Sequence, residues 1–180
     1  MTYAAAITDL SAMDAARQLG VSLRFEGVAS FDASPEDVFT HVSEPQHVSQ
    51  WVPMLKALKM NHSRSQNGAE KCGVGTERAC AIGMMGNVIE RIIWWDPPKG
   101  YAFAFQPENK MMVPTQKHYV VLLVRSHGKG SELVFRIYFN WRPGPMRFMA
   151  ARMMPMMLNM AFAKMQKKLG GTGGKFRRIS

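Results

Sequence analysis

The sequence predicts an α+β fold in which one curved antiparallel sheet of about seven strands wraps around a long C-terminal helix, with two short helices after the first strand. Three observations carry this expectation. From Ser131 to Trp141 apolar and polar side chains alternate with a period of two, as in a sheet buried on one face. Asp32-Ala-Ser-Pro-Glu-Asp37 has the composition of a helix start, close behind the first strand. After Arg142-Pro-Gly-Pro145 the apolar period lengthens to that of a helix. A sheet with one apolar face needs a cover, and a single long helix can supply it.

In chain order, Ser11-Ala-Met-Asp14 has capping-box spacing and Gly20 a helix-stop position, so residues 1–20 read as an N-terminal helical extension. Val21–Phe31 reads as a strand whose alternation breaks near Gly27, which suggests a bulge there. Ser34 as N-cap, Pro35 at the first helical position and Glu36-Asp37 against the helix dipole open a helix over 35–42. Glu44-Pro45 opens a second, ending near Trp51-Val52-Pro53. Leu55–Met60 is a short strand candidate, 61–75 a polar loop. Thr76–Ile82 and Asn87–Trp95 form a hairpin around Gly83-Met-Met-Gly86. Asp96-Pro-Pro-Lys-Gly100 is a turn, and Tyr101, Phe103 and Phe105 then make one strand face aromatic. Gln116–Arg125 and Ser131–Trp141 are the clearest strands; Leu133, Phe135, Ile137, Phe139 and Trp141 share a face opposite Glu132, Arg136 and Asn140.

In the final helix Met146, Met149, Ala150, Met153, Met157, Met160 and Ala161 form one stripe expected to face the sheet. Pro155 falls inside it and predicts a kink or break, since it withholds the amide that would bond the Ala151 carbonyl. The helix should end at Leu169. This divides the chain into the extension at 1–20, one domain at 21–169, and a flexible basic tail at 170–180.

Composition narrows the function classes. The chain has 180 residues, 23 Lys+Arg against 13 Asp+Glu, a net charge of +10, and 16 methionines. Its length fits a single domain with its own core. No acid follows Glu132, so the whole positive surplus lies in the last 48 residues, where half of the methionines also lie. Aromatic residues alternate into the sheet rather than interleave with Lys and Arg on a surface, so nucleic acid is not the expected partner. The basic helix face and tail are candidates for transient contact with an anionic membrane surface, with a merely solubilising charged end as the commoner alternative. Cys72 and Cys80 frame neither a disulfide scaffold nor a zinc cluster. Gly73-Val-Gly75 precedes a strand, so it is not a dinucleotide fingerprint, and no cofactor or metal is implied. The N-terminus lacks a signal-peptide pattern, and Met153–Ala163 is too short to span a bilayer. The expected location is the cytoplasm.

Several segments resemble the START/SRPBCC superfamily, near its polyketide cyclase/dehydrase and lipid-transport branch. They are Phe31-Asp-Ala-Ser-Pro-Glu-Asp-Val-Phe39, Val42-Ser-Glu-Pro45 with Trp51-Val-Pro53, Gly73-Val-Gly-Thr-Glu-Arg78, Glu90-Arg-Ile-Ile-Trp-Trp-Asp-Pro-Pro98 and Pro143-Gly-Pro145. The resemblance covers about residues 22–169 and implies a helix-grip fold with a hydrophobic small-molecule ligand between sheet and helix. The ligand class would be a lipid, quinone, isoprenoid or polyketide-like aromatic. A polyketide cyclase/dehydratase using the same cavity is the enzymatic alternative, and a membrane-delivery or protein-interaction module a further one. The family offers no shared catalytic motif to carry over.

Candidate lining residues are Phe103, Phe105, Phe135, Phe139 and Trp141 on the sheet, Met153, Met157 and Met160 on the helix, and Trp51 and Met54 at the entrance. Met suits adaptable apolar binding, although each of these side chains could equally be core. His118 is in phase with Val120, Leu122 and Val124, hence inward; it could orient a ligand carbonyl, act as a general base, or be a satisfied structural histidine. Arg78, Glu90 and Arg91 sit on the two hairpin strands. Arg78 is a candidate polar anchor, with cross-strand ion pairing on the solvent face as the commoner alternative. Which of Glu90 and Arg91 points inward is left open by the pattern.

Overall fold

The helix start at Ser34 forms as its residues dictate. In the computed structural model, which describes residues 20–83, 86–107 and 114–179, the Ser34 hydroxyl accepts from the Asp37 amide at 3.1 Å and caps α1, Pro35–Ser43. A second short helix, α2, follows at Pro45–Trp51. The expected N-terminal helix, with Ser11 to Asp14, and Met84-Met85 of the hairpin turn lie outside the described residues.

Among the described residues eight strands make one sheet: β1 Ser22–Phe31, β2 Leu55–Asn61, β3 Glu77–Ile82, β4 Gly86–Asp96, β5 Gly100–Pro107, β6 Thr115–His127, β7 Gly130–Trp141 and β8 Lys175–Arg178. Their spatial order is β2-β3-β4-β5-β6-β7-β1-β8, and every pairing is antiparallel. The seven strands expected are all present. The eighth comes from the segment expected to be a flexible tail.

That correction has a clear cause. Gly170, Gly171, Gly173 and Gly174 all take positive φ, which lets the chain reverse sharply at the helix end. The Gly171 amide donates to Asp32 Oδ2 at 2.8 Å, and the Phe176 amide donates to Asn159 Oδ1 at 2.7 Å. Phe176 then buries its ring against Phe162, centroids 4.4 Å apart, and Phe135, 5.3 Å. One apolar residue among cations was too weak a pattern to show this strand in the sequence.

The concave face is organised in rows that run across the strands. Ile92, Phe103, Val120, Ile137 and Phe25 are cross-strand neighbours, and beside them run Tyr101, Leu122, Phe135, Gly27 and Phe176. Gly27 lies in regular pairing; the bulge of β1 falls instead between Leu23 and Phe25. The glycine is needed for close approach, because a Cβ there would stand 2.8 Å from both Phe162 and Phe176. The convex face is also partly apolar, contrary to a sheet buried on one side only: Val21, Trp94, Ala102, Tyr119, Val121 and Tyr138 form a second buried cluster.

The long helix α3, Met146–Leu169, runs without a break through Pro155. The side chains on either side of the proline's neighbourhood, Met154 and Leu158, pack on the core and hold the helix where one backbone bond is lost. The sheet-facing stripe is Met154, Leu158, Ala161, Phe162, Met165 and Leu169, not the methionine stripe expected. Met146, Met149, Met153 and Met160 are exposed, with Met156 beside them. The helix is rotated by about one residue, roughly 100°, from the orientation that the sequence suggested. Apolar residues occur all round it, so periodicity selects no face; the gap at Gly27, filled by Phe162, does.

Because Phe176 closes the core, replacing it with Ala should destabilise the fold by about 3–5 kcal/mol in urea unfolding. A loss below about 1 kcal/mol, typical of an exposed chain end, would show that β8 is not part of the core.

Candidate functional site

The next row on the concave face breaks the apolar rule. Arg78, Glu90, Phe105 and His118 are successive cross-strand neighbours on β3, β4, β5 and β6, and Phe139 of β7 continues the line. The row therefore holds three polar side chains on the face that the rest of the sheet gives to its core.

Arg78 is 3% exposed and Glu90 12%. Arg78 Nη2 donates to Glu90 Oε2 at 2.7 Å, and Nη1 to the Tyr101 hydroxyl at 3.4 Å. Its guanidinium lies 4.7 Å from the Phe103 ring centre and 5.2 Å from that of Tyr101, in cation–π range. The Tyr101 hydroxyl donates in turn to the Val42 carbonyl at 2.6 Å, tying this corner to the end of α1. Burial alone would lower the Arg78 pKa, but the Glu90 carboxylate outweighs it and the shift is upward, so the charge is permanent. Arg78 Nε is buried with no partner. The neighbouring charge, Arg91, faces the other way and pairs with Glu77 at 2.6 Å. The structure thus answers the open question: Glu90 points inward, Arg91 outward.

His118 sits where β6 bulges against β7, between Gln116 and Tyr119, with Lys117 at φ 52°. Its ring lies 4.7 Å from Phe105 and 5.2 Å from Phe139. Both ring nitrogens are sealed from water and have no hydrogen-bond partner among the described residues. Burial lowers its pKa from 6.5 to about 4, so the imidazole is neutral at pH 7, able to donate from one nitrogen and accept at the other. Among the described residues, no side chain orients it as a catalytic triad would. Cys80, close to the same row, is no nucleophile: burial, reinforced by Glu90, pushes its thiol up to about 12.

The aromatic run continues outward, with Trp141 edge-on to Phe139 at 4.6 Å. Trp141 borders a cleft of about 530 Å³ between the end of the sheet and the first turns of α3. Here the grip is loose. The fully buried residues of α3 are Ala161, Phe162 and Met165, all in its second half, while Met146 and Phe148 stand in solvent.

Of the expected lining residues, the structure brings together Arg78, Phe103, Phe105, His118, Phe139 and Trp141. Phe135 lies two rows away in the sealed core. Trp51 braces that core: its indole N–H donates to the His41 carbonyl at 3.0 Å and its ring meets Phe135. Met54 is 46% exposed in a left-handed turn, and Met153 and Met160 are exposed by the rotation of α3, so none of the three lines the site. Met157 is half-buried but outside the core cluster. Tyr101 was missed as a site residue, and Glu90 was left undecided against Arg91. Glu90 required the hairpin register, in which a slip of one residue exchanges it with Arg91; Tyr101 was visible on its aromatic strand, but its hydroxyl's partner on α1 was not.

A curved antiparallel sheet gripping one C-terminal helix, with two short helices after the first strand, places the protein in the START/SRPBCC superfamily. Within it the chain belongs to the family described as polyketide cyclase / dehydrase and lipid transport, whose model matches residues 22–170. An uncharacterized protein of Mycobacterium tuberculosis is 31% identical over 126 residues, 69% of this chain and 82% of that protein. A conserved protein of Geobacillus kaustophilus is similar in structure, with a TM-score of 0.61 at 14% identity over 85% of this chain and 99% of that one. A START superfamily protein of Mycobacterium smegmatis gives 0.59 at 13%, over 82% and 97%. At these identities the structural likenesses speak for the fold. No helix among the described residues is long and apolar enough to cross a membrane.

The His118 environment sets a pH dependence. Its folded-state pKa, about 4, lies below the ordinary 6.5, so the unfolded chain binds the proton more tightly. His118 therefore costs no stability above pH 6.5 and progressively more as pH falls towards 4. His118→Phe should flatten the stability–pH curve in that window by up to about 1.4 kcal/mol per pH unit, read by urea unfolding. An unchanged slope would show that the imidazole is not sealed from protons.

Proposed function

We propose that the protein binds a hydrophobic small molecule that carries hydrogen-bonding groups, held between the sheet and the first half of α3. The observation that supports this most is the set of buried polar atoms without partners on one row: Arg78 Nε and both His118 nitrogens. A buried donor left unpaired costs about 1–3 kcal/mol, and a ligand oxygen would satisfy it. Arg78 and His118 are three strand spacings apart, roughly 14 Å. A molecule lying along Phe105 would meet a permanent cation beside Glu90 at one end and a neutral imidazole at the other. The walls between are aromatic, and burial against them contributes about 25 cal/mol per Å².

This pattern suits an elongated lipid, quinone, isoprenoid or polyketide-like aromatic with a carbonyl or hydroxyl, in keeping with a family that spans cyclases and lipid carriers. A binding role agrees with the site better than a cyclase role does, because among the described residues His118 has no carboxylate or hydroxyl to orient it, and burial holds the Cys80 thiol protonated.

Native mass spectrometry of protein purified from its own host is expected to show a co-purifying hydrophobic mass, and thermal unfolding a rise with quinones or long-chain alcohols. Protein that is empty in the first measurement and unshifted by such a panel in the second would overturn the proposal.

A further inference from the structure

The cleft outside Trp141 differs electrostatically from the rest of the molecule. It is lined by Trp141, Arg147, Phe148, Ala151, Arg152 and Arg178. Five arginines of the sheet are matched to acids: Arg78 to Glu90, Arg91 to Glu77, Arg125 to Glu132, and Arg136 and Arg177 to Glu26. Arg147, Arg152 and Arg178 have no carboxylate partner among the described residues, although they converge on one cavity. Two more features add positive potential. Arg147 lies in the first turn of α3, which holds no acid and has no side-chain cap, so the positive end of the helix dipole is uncompensated. The sequence also holds no acid after Glu132. Three guanidiniums placed together without a counter-charge repel one another; a bound polyanion would reverse the sign of that interaction, and the planar forks of arginine suit phosphate oxygens.

The remaining walls are apolar. Arg147 lies 4.7 Å from the ring centre of Phe148, which is 67% exposed, and the Trp141 ring separates the cleft from Phe139 and His118. The volume, about 530 Å³, lies within the range of about 300–1,000 Å³ usual for ligand sites. We infer that this cleft binds the phosphate head of an amphiphile, with Arg147, Arg152 and Arg178 on the phosphate and Trp141 and Phe148 against the start of its apolar chain. The inference rests on the proposed apolar site only in that the chain would pass Trp141 towards Phe139. The amphiphile can come from solution or from a bilayer, and the exposed Phe148, Met149 and Met153 next to the cleft give the second source an apolar foothold.

Titration calorimetry of the full chain with octyl phosphate, 1-octanol and inorganic phosphate tests this. Octyl phosphate should bind at least about tenfold tighter than octanol, with an advantage that shrinks as salt rises, and inorganic phosphate should compete with it. Arg147→Gln/Arg152→Gln should bring octyl phosphate down to the octanol level, and Arg147→Lys/Arg152→Lys should restore part of the difference. Co-sedimentation with phosphatidylcholine vesicles, with and without phosphatidic acid, separates the sources: binding to the acidic vesicles assigns a bilayer, and binding of octyl phosphate alone assigns a soluble amphiphile. If octanol binds and the phosphate adds nothing, or if the Gln variant keeps the full preference, the cleft inference is overturned while the apolar site stands. If phosphate binds and octanol does not, the cleft stands and the apolar site falls.

Discussion

Removing an arginine from water is among the least favourable steps a fold can take, and in this protein the Arg78–Glu90 pair takes it on the inner face of the sheet. The pair survives because everything around it is arranged for it. Glu90 is its direct cross-strand neighbour, Tyr101 offers a hydroxyl while holding the end of α1, and Phe103 presents its ring to the guanidinium. Buried ion pairs seldom add stability over apolar residues of the same volume. Stability alone therefore gives no reason for this row to be polar when the two rows beside it are apolar. The proposed polar ligand would, and it would also meet His118, two strands from Glu90, whose buried nitrogens have no hydrogen-bond partner among the described residues.

The two halves of α3 meet the sheet differently. The second half of α3 seals the core through Phe162 and Met165, which pack where Gly27 leaves room and where Phe176 folds back from the chain end. The first half of α3 is not drawn down in the same way. Met146, Met149, Met153 and Met156 face solvent there, and the cleft beside Trp141 opens under it. One helix thus closes one end of the sheet and leaves the other accessible.

Much of this was legible in the sequence. Ser34-Pro35 set the first helix, the period-2 strands set the sheet, and the inward phase of His118 was readable from Val120, Leu122 and Val124. What was not legible has physical causes. The face of α3 was hidden because methionine occurs all round it, so its rotation depends on which side chain fits the sheet, and Phe162 fits at Gly27. The inward member of the Glu90/Arg91 pair depends on a one-residue choice of hairpin register. Strand β8 has a single apolar residue, and its place is set by tertiary hydrogen bonds to Asn159 and Asp32 that no local pattern announces. The excess of charge and the excess of methionine belong to the same C-terminal part, but five of the eight methionines there look outward, beside the cations rather than opposite them.

The central claim is that the polar row exists for a ligand and not for the fold. The double variant Arg78→Met/Glu90→Leu tests it, with unfolding free energy and bound-ligand mass measured on the same preparation. The account predicts stability equal to or up to about 4 kcal/mol above the parent, together with loss of the co-purifying molecule. A folded double variant that keeps its ligand at parental occupancy would contradict it.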